Sequence, residues 1–306
     1  MRAFIFPGQG SQSVGMGKAL AEASPVARRL FEEVDDALGQ KLSLLMAEGP
    51  GEELILTENA QPAIMANALA TLRVAGIDIR KADFVAGHSL GEYTALAAAG
   101  AFDVATTARL LKLRGRAMQG AVPVGQGAMA ALLGASLDIA REVAESAAEG
   151  EVCAVANDND PSQVVISGHR GAIERALEIA KQKGAKRAVL LPVSAPFHSP
   201  LMAPAAQAME QALADTPIAA PAVPLYANVT AAPVSDPGEI RRLLVEQVTG
   251  MVRWRESVAA MAAAGVTHFI EFGGKVLSPM VKRIAPDAQT TSVVTMEDIE
   301  AIAKEL

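Results

Sequence analysis

Cysteine is all but missing from this chain. Its 306 residues include one, Cys153, which excludes a disulfide framework and a cysteine-rich metal site and fits a reducing cytoplasm. Long apolar runs are missing too. No stretch approaches the roughly 18 uninterrupted apolar residues of a membrane span. The opening Met1-Arg2-Ala3-Phe4-Ile5-Phe6 is cut off by Pro7, too short for a secretory signal. Positive charge is in deficit: 27 Lys and Arg against 34 Asp and Glu give a net charge of −7, which argues against nucleic acid as a partner. No internal repeat or low-complexity tract is visible. Apolar residues make up 51% of the chain, enough for the core of one large domain or of a large domain with a smaller insert.

The chain is organised around Asp83-Phe84-Val85-Ala86-Gly87-His88-Ser89-Leu90-Gly91-Glu92-Tyr93. It reads as a short buried strand, a tight turn and an alanine-rich helix. Gly87-His88-Ser89-Leu90-Gly91 fits the G-x-S-x-G nucleophile elbow, in which glycines let neighbouring chain pass close to a strained serine. The helix N-terminus aims N–H groups and a positive dipole end at whatever Ser89 attacks. The same five residues also fit an ordinary strand-to-helix turn.

Around this stretch, Arg2–Phe6 reads as a first buried strand running into a glycine- and amide-rich turn, Pro7 to Gln12. Helical patterns cover 25–38 and 61–75, with Pro62 at a helix start, and 104–119 behind an Asp103 cap. Residues 128–133, 137–148, 151–156, 163–167, 171–183 and 186–191 read as β-α-β-β-α-β, with a turn at Asn157–Pro161. That order is the ferredoxin-like unit. A second domain is therefore placed at 125–192, inserted between 1–124 and 193–306. The larger part adds strands at 225–229 and 267–272 and helices at 202–213, 238–248 and 255–264, with a proline-rich linker at 217–224. Strands separated by helices imply a mostly parallel sheet covered on both faces, an α/β fold.

Two polar features stand out. On helix 104–119 the residues Arg109, Lys112 and Arg116 share one solvated face, while Arg114 falls among Thr107, Leu110 and Met118 on the apolar side. A guanidinium there needs either an internal salt bridge or an anionic ligand. A serine nucleophile also needs a base. Of four histidines, His88 adjoins Ser89 and points to the other side, His169 lies in a polar exposed turn, and His268 sits in an apolar strand as a core residue. His198, in an irregular segment between Pro196 and Pro200, is the best-placed candidate.

Four motifs, Pro7-Gly8-Gln9-Gly10-Ser11-Gln12, Gly87-His88-Ser89-Leu90-Gly91-Glu92, Leu113-Arg114-Gly115-Arg116-Ala117-Met118-Gln119 and Pro196-Phe197-His198-Ser199, occur in this order. In that respect the chain resembles the acyltransferase family of fatty acid and polyketide synthesis over nearly its whole length. The resemblance implies a hydrolase-like α/β domain with a ferredoxin-like insert. It implies transfer of malonyl from malonyl-CoA to acyl carrier protein, by a monomer with no metal or cofactor. Ser89 would be the nucleophile and His198 its base and acid, the latter oriented by an amide or carbonyl at Gln247. Gln9 and the Leu90 N–H would hold the oxyanion, and Arg114 would clamp the malonyl carboxylate. Phe197 and Met118 would wall the pocket against an α-methyl group. Asn157 and Asn159 fit either contacts to pantetheine amides or plain turn formation. Lys181, Lys183, Lys186 and Arg187, or Lys275, Lys282 and Arg283, are candidates for meeting an acidic carrier. Gly273-Gly274-Lys275 and Pro279 depart from the family pattern without touching this set. The rival readings are an α/β-hydrolase esterase, which needs a triad acid and usually an HGGG loop, and a catalytically silent carrier-binding module.

Overall fold

Arg2–Phe6 (β1) carries Ala3 and Ile5 on one side and Phe4 and Phe6 on the other, and all four are fully buried. A strand apolar on both faces belongs inside a sheet covered on both sides. The structure, a computed structural model describing residues 1–306, places it there. Ten strands form two sheets: β1, Phe84–Gly87 (β2), Gly127–Leu133 (β3), Cys153–Asp160 (β4), Gln163–His169 (β5), Arg187–Leu190 (β6), Leu225–Tyr226 (β7), Pro233–Val234 (β8), His268–Phe272 (β9) and Gln289–Val293 (β10). The large sheet runs β10-β9-β1-β2-β7-β8, parallel except for the β7–β8 pair at one edge. Phe4 and Phe6 pack into the main core with helix Thr57–Ala75, while Ala3 and Ile5 join Trp254 and Phe269 on the other face.

The chain leaves β1 toward β2 on one side and returns through β9 on the other. Clefts for ligands open at the carboxyl ends of parallel strands where the order switches in this way. Gln9 follows β1, Ser89 follows β2, Asn228 follows β7 and Gly273 follows β9, so four loops converge at one end of the sheet.

The small sheet, β4-β5-β3-β6, is antiparallel throughout. Along β3, Ala128, Ala130 and Leu132 face helices Leu137–Ala148 and Arg170–Gln182, while Met129 and Ala131 face the main core. Period-2 alternation thus buries both faces of one strand against different partners.

Several elements differ from the sequence reading. Asn157–Asp160 is strand, not turn; the turn is Pro161-Ser162. Its polar side chains stay extended because the larger part supplies partners. Arg255 Nε lies 3.0–3.1 Å from both Asp158 oxygens, Arg283 Nε lies 2.8 Å from Asp160 Oδ2, and the Asp158 N–H donates to the Val252 carbonyl at 3.0 Å. Helix Thr57–Ala75 begins a turn before Pro62, which sits inside it. Lys112 is not on a solvated face. It is buried, its Nζ donating to Gln40 Oε1 and Asn59 Oδ1 at 2.9 and 2.8 Å, with Glu58 at 3.1 Å. Strand β10 and helix Met296–Glu305 complete the sheet edge beyond the strands anticipated.

Candidate active site

The turn from β2 into helix Gly91–Ala98 holds Ser89 at φ 53°, in the left-handed region a serine adopts only under constraint. Both glycines of the elbow are steric necessities. A Cβ on Gly87 would lie 1.8 Å from the Gly91 carbonyl oxygen, and one on Gly91 would lie 2.3 Å from that of Phe6. Asn228 clamps the turn: its Oδ1 accepts the Ser89 N–H at 2.8 Å and its Nδ2 donates to the Gly87 carbonyl at 2.7 Å.

His198 Nε2 lies 2.7 Å from Ser89 Oγ, and its Nδ1 lies 2.9 Å from the main-chain carbonyl of Gln247. A carbonyl only accepts. Nδ1 therefore carries the proton, and Nε2 is the bare nitrogen that accepts the serine O–H. No carboxylate orients this imidazole. Burial, and then repulsion from Arg114, pushes it down to about 3, so at neutral pH it is uncharged and competent to take a proton.

Arg114 is 1% exposed. Its Nη1 donates to Gln61 Oε1 at 2.7 Å, and its Nη2 to Gln247 Oε1 at 2.9 Å and to Ser89 Oγ at 3.1 Å. Its Nε–H has no partner, and its guanidinium carbon lies 5.7 Å from the centre of the Tyr93 ring. Every direct partner is neutral, which suits a buried cation to an anion from outside. Glu92 is the next ionisable group. Its Oε1 accepts the Asn228 N–H at 3.0 Å and its Oε2 accepts from Gln247 Nε2 at 2.5 Å. Burial pushes its carboxyl up to about 8, against the pull of those donors and of Arg114.

Ser89, His198 and Arg114 open on a cavity of about 340 Å³ between the two sheets. Gln9 and Leu90 line it, and the main-chain N–H groups of both donate to no protein acceptor. The Gln9 side-chain oxygen accepts from Thr57 Oγ1 at 3.3 Å. Met118 and Phe197 supply apolar wall, and Asn157 and Asn159 reach the cavity from β4. Asn159 Oδ1 lies 2.7 Å from His88 Nε2, whose ring packs on Trp254.

The sequence thus named residues that meet in one place. It attached Gln247 to His198, and the contact comes from the Gln247 main chain, while its side chain serves Arg114, Glu92 and the Ser89 carbonyl. His268 is a core histidine bonded to Thr291 Oγ1 at 2.8 Å. His169 is half-buried rather than exposed, its Nδ1 accepting the Val152 N–H. Lys181, Lys183 and Arg283 are held in ion pairs, whereas Lys186, Arg187 and Lys275 form none. Asn228, Gln61 and the role of Glu92 went unread. The available signal was Glu92 itself, a charge in the first turn of an otherwise apolar helix.

The family model described as "Acyl transferase domain" matches residues 3–283. The chain is 47% identical over 300 residues to a malonyl CoA-acyl carrier protein transacylase of Bacillus subtilis (strain 168), covering 97% of this chain and 95% of that one. The crystal structure of an acyl-carrier-protein S-malonyltransferase from Bartonella henselae superposes with a TM-score of 0.97 at 55% identity, covering 99% of this chain and 98% of that one. A malonyl-transacylase solved in complex with a type II polyketide acyl-carrier protein superposes at 0.96 with 38% identity, covering 100% and 99%.

Proposed function

The chain belongs to the acyl transferase family, and from that premise we propose that it carries malonyl from malonyl-CoA to the phosphopantetheine thiol of acyl carrier protein, supplying fatty acid synthesis. It is an acyltransferase working by two successive transfers. Ser89 Oγ attacks the malonyl thioester as its proton passes to His198 Nε2. The tetrahedral oxyanion is held by the Gln9 and Leu90 N–H groups, each such donor being worth about 10²–10³ in rate. The intermediate collapses, and His198 returns the proton to the departing CoA thiolate. The carrier's thiol then enters, loses its proton to His198 and takes the malonyl group, freeing Ser89.

The observation that carries this reading is Arg114, a buried guanidinium with neutral partners within reach of the serine hydroxyl. An esterase acting on neutral acyl groups has no use for it, whereas the free carboxylate of a malonyl group matches its planar fork. The main-chain partner of His198 also differs from the carboxylate of a hydrolase triad. Phe197 and Met118 limit bulk at the acyl α-carbon. Asn157, with Asn159, offers amide contacts to pantetheine, and Lys186, Arg187 and Lys275 offer free positive charge to an acidic carrier.

The finer architecture belongs to the same reading. The strand order β4-β5-β3-β6 with two helices on one face supports a ferredoxin-like unit at 125–192 inserted in a hydrolase-like body of 1–124 and 193–306. All the proposed site residues come from one chain, which supports action as a monomer. Moving an acyl group between sulfur and oxygen needs no redox or electrophilic cofactor, and no helix is long and apolar enough to cross a membrane. A single free cysteine suits the cytoplasm. Product analysis with malonyl-CoA tests the proposal: malonyl-carrier should form when holo carrier is present, with little free malonate in its absence. Rapid hydrolysis with no carrier product would make the protein a thioesterase instead.

A further inference from the structure

Glu92 is a buried carboxylate beside the nucleophile, and the transfer steps above give it no task. It connects to Arg114 through a single amide. Gln247 Nε2 donates to Glu92 Oε2 at 2.5 Å, while Gln247 Oε1 accepts from Arg114 Nη2 at 2.9 Å. The amide has one good orientation here. Reversed, it would set an NH2 group against the guanidinium and an oxygen against the carboxylate, two buried repulsive contacts. Glu92 Oε1 accepts the Asn228 N–H. With N–H donors on both oxygens and no acceptor for an O–H, the hydrogen bonds favour the ionised carboxylate, which burial confines to pH above about 8.

The consequence lies at Arg114. A direct, bidentate Arg114–Glu92 pair would consume the guanidinium edge that a ligand carboxylate needs. An unbalanced guanidinium in this interior would cost more than its hydrogen bonds return. Placing one amide between the charges balances Arg114 at a distance and leaves the N–H it turns to the Ser89 hydroxyl without a charged partner. We infer that Glu92 is a positioning residue for recognition of the acyl acid, acting through the Gln247 amide to aim Arg114 without pairing with it.

This inference rests on the malonyl reading, and the experiment separates the two. Initial rates with malonyl-CoA and acetyl-CoA are measured for wild type, Glu92→Gln, Gln247→Leu and the double variant. The assay runs at about pH 8.5, above the pH near which buried Glu92 titrates. Glutamine at 92 keeps the shape but loses the charge and one of the two acceptor oxygens, setting an NH2 against either the Gln247 amide or the Asn228 N–H. The ratio of kcat/KM for malonyl-CoA over acetyl-CoA should fall about 10–100-fold, mainly through the malonyl KM. The double variant should lose no more of that ratio than the worse single variant, because both changes break one link. If wild type transfers no malonyl, the malonyl reading fails. If wild type does so and Glu92→Gln slows both acyl groups equally, or the two losses add, Glu92 is scaffold only. Should Glu92→Gln not fold, Gln247→Leu alone decides, since an unchanged ratio there removes the link.

Discussion

His198 shows how a buried imidazole is set for its task by what surrounds it. Burial and the Arg114 charge hold it down to about 3, and its Nδ1–H is engaged by the Gln247 carbonyl. Free histidine titrates near 6.5, so kcat/KM for acetyl-CoA, whose neutral acyl group does not draw on Glu92, should stay flat from about pH 7.5 down through about pH 5. Because repulsion from Arg114 contributes to the depression, a bound dicarboxylic acyl group that neutralises Arg114 should raise the imidazole again. The acid limb of kcat should then lie at higher pH than that of kcat/KM; coincident limbs would mean that Arg114 does not meet the acyl carboxylate. The same shift has a stability consequence. The unfolded chain takes up a proton at His198 near pH 6.5 and the folded one only near 3, so folding stability is lost as pH falls between them. For Arg114→Ala, loss of a buried charge-assisted contact predicts a fall in malonyl transfer of about 10²-fold or more, with acetyl transfer spared or improved. Parallel steady-state assays on the two thioesters check this, and an equal loss on both would assign Arg114 to structure alone.

The strand–turn–helix of the elbow is specified by how closely chain passes chain. Gly91 packs on the Phe6 carbonyl, 2.3 Å from where a Cβ would stand. Gly91→Ala must therefore push β1 and the elbow apart, at an expected cost of about 3 kcal/mol, the upper end for overpacking. A denaturant melt of the variant reads this cost, and a loss below about 1 kcal/mol would show that the contact relaxes freely. This element was legible because its restraints are local: apolar run, two glycines, alanine-rich helix. Helices Pro25–Leu38 and Leu137–Ala148 were legible with their ends for the same reason, their periodicity and caps lying within the segment. Asn157–Asp160 was not, because its partners Arg255 and Arg283 lie 97 and 123 residues further on. The main-chain carbonyl that orients His198 was reached only through the family resemblance, as one of two options at Gln247, since a backbone oxygen leaves no mark on residue type. The strand at 225–229 was read, and forms only over Leu225–Tyr226; what went unread is that Asn228, just past its end, reaches Ser89 across 139 residues.

Taken as a whole, the molecule is a parallel sheet that presents Gln9, Ser89 and Asn228 at one end, roofed by a second sheet that brings Asn157 and Asn159 over the cavity. The two parts are tied by Arg255–Asp158 and Arg283–Asp160, whose carboxylates are fully buried or nearly so. Asp158→Ala leaves the Arg255 head group unpaired against β4. It should cost about 1–3 kcal/mol of stability and raise the KM for malonyl-CoA as the roof loosens. Calorimetry with steady-state kinetics measures both, and an unchanged KM would detach the roof from substrate binding. The account stands or falls with Ser89 as the atom that carries the acyl group. Brief exposure to malonyl-CoA without carrier, followed by peptide mass spectrometry, should find one malonyl group on the peptide containing Ser89, gone on adding holo carrier and never present in Ser89→Ala. Malonyl transfer by Ser89→Ala, or an adduct on any other residue, would contradict it.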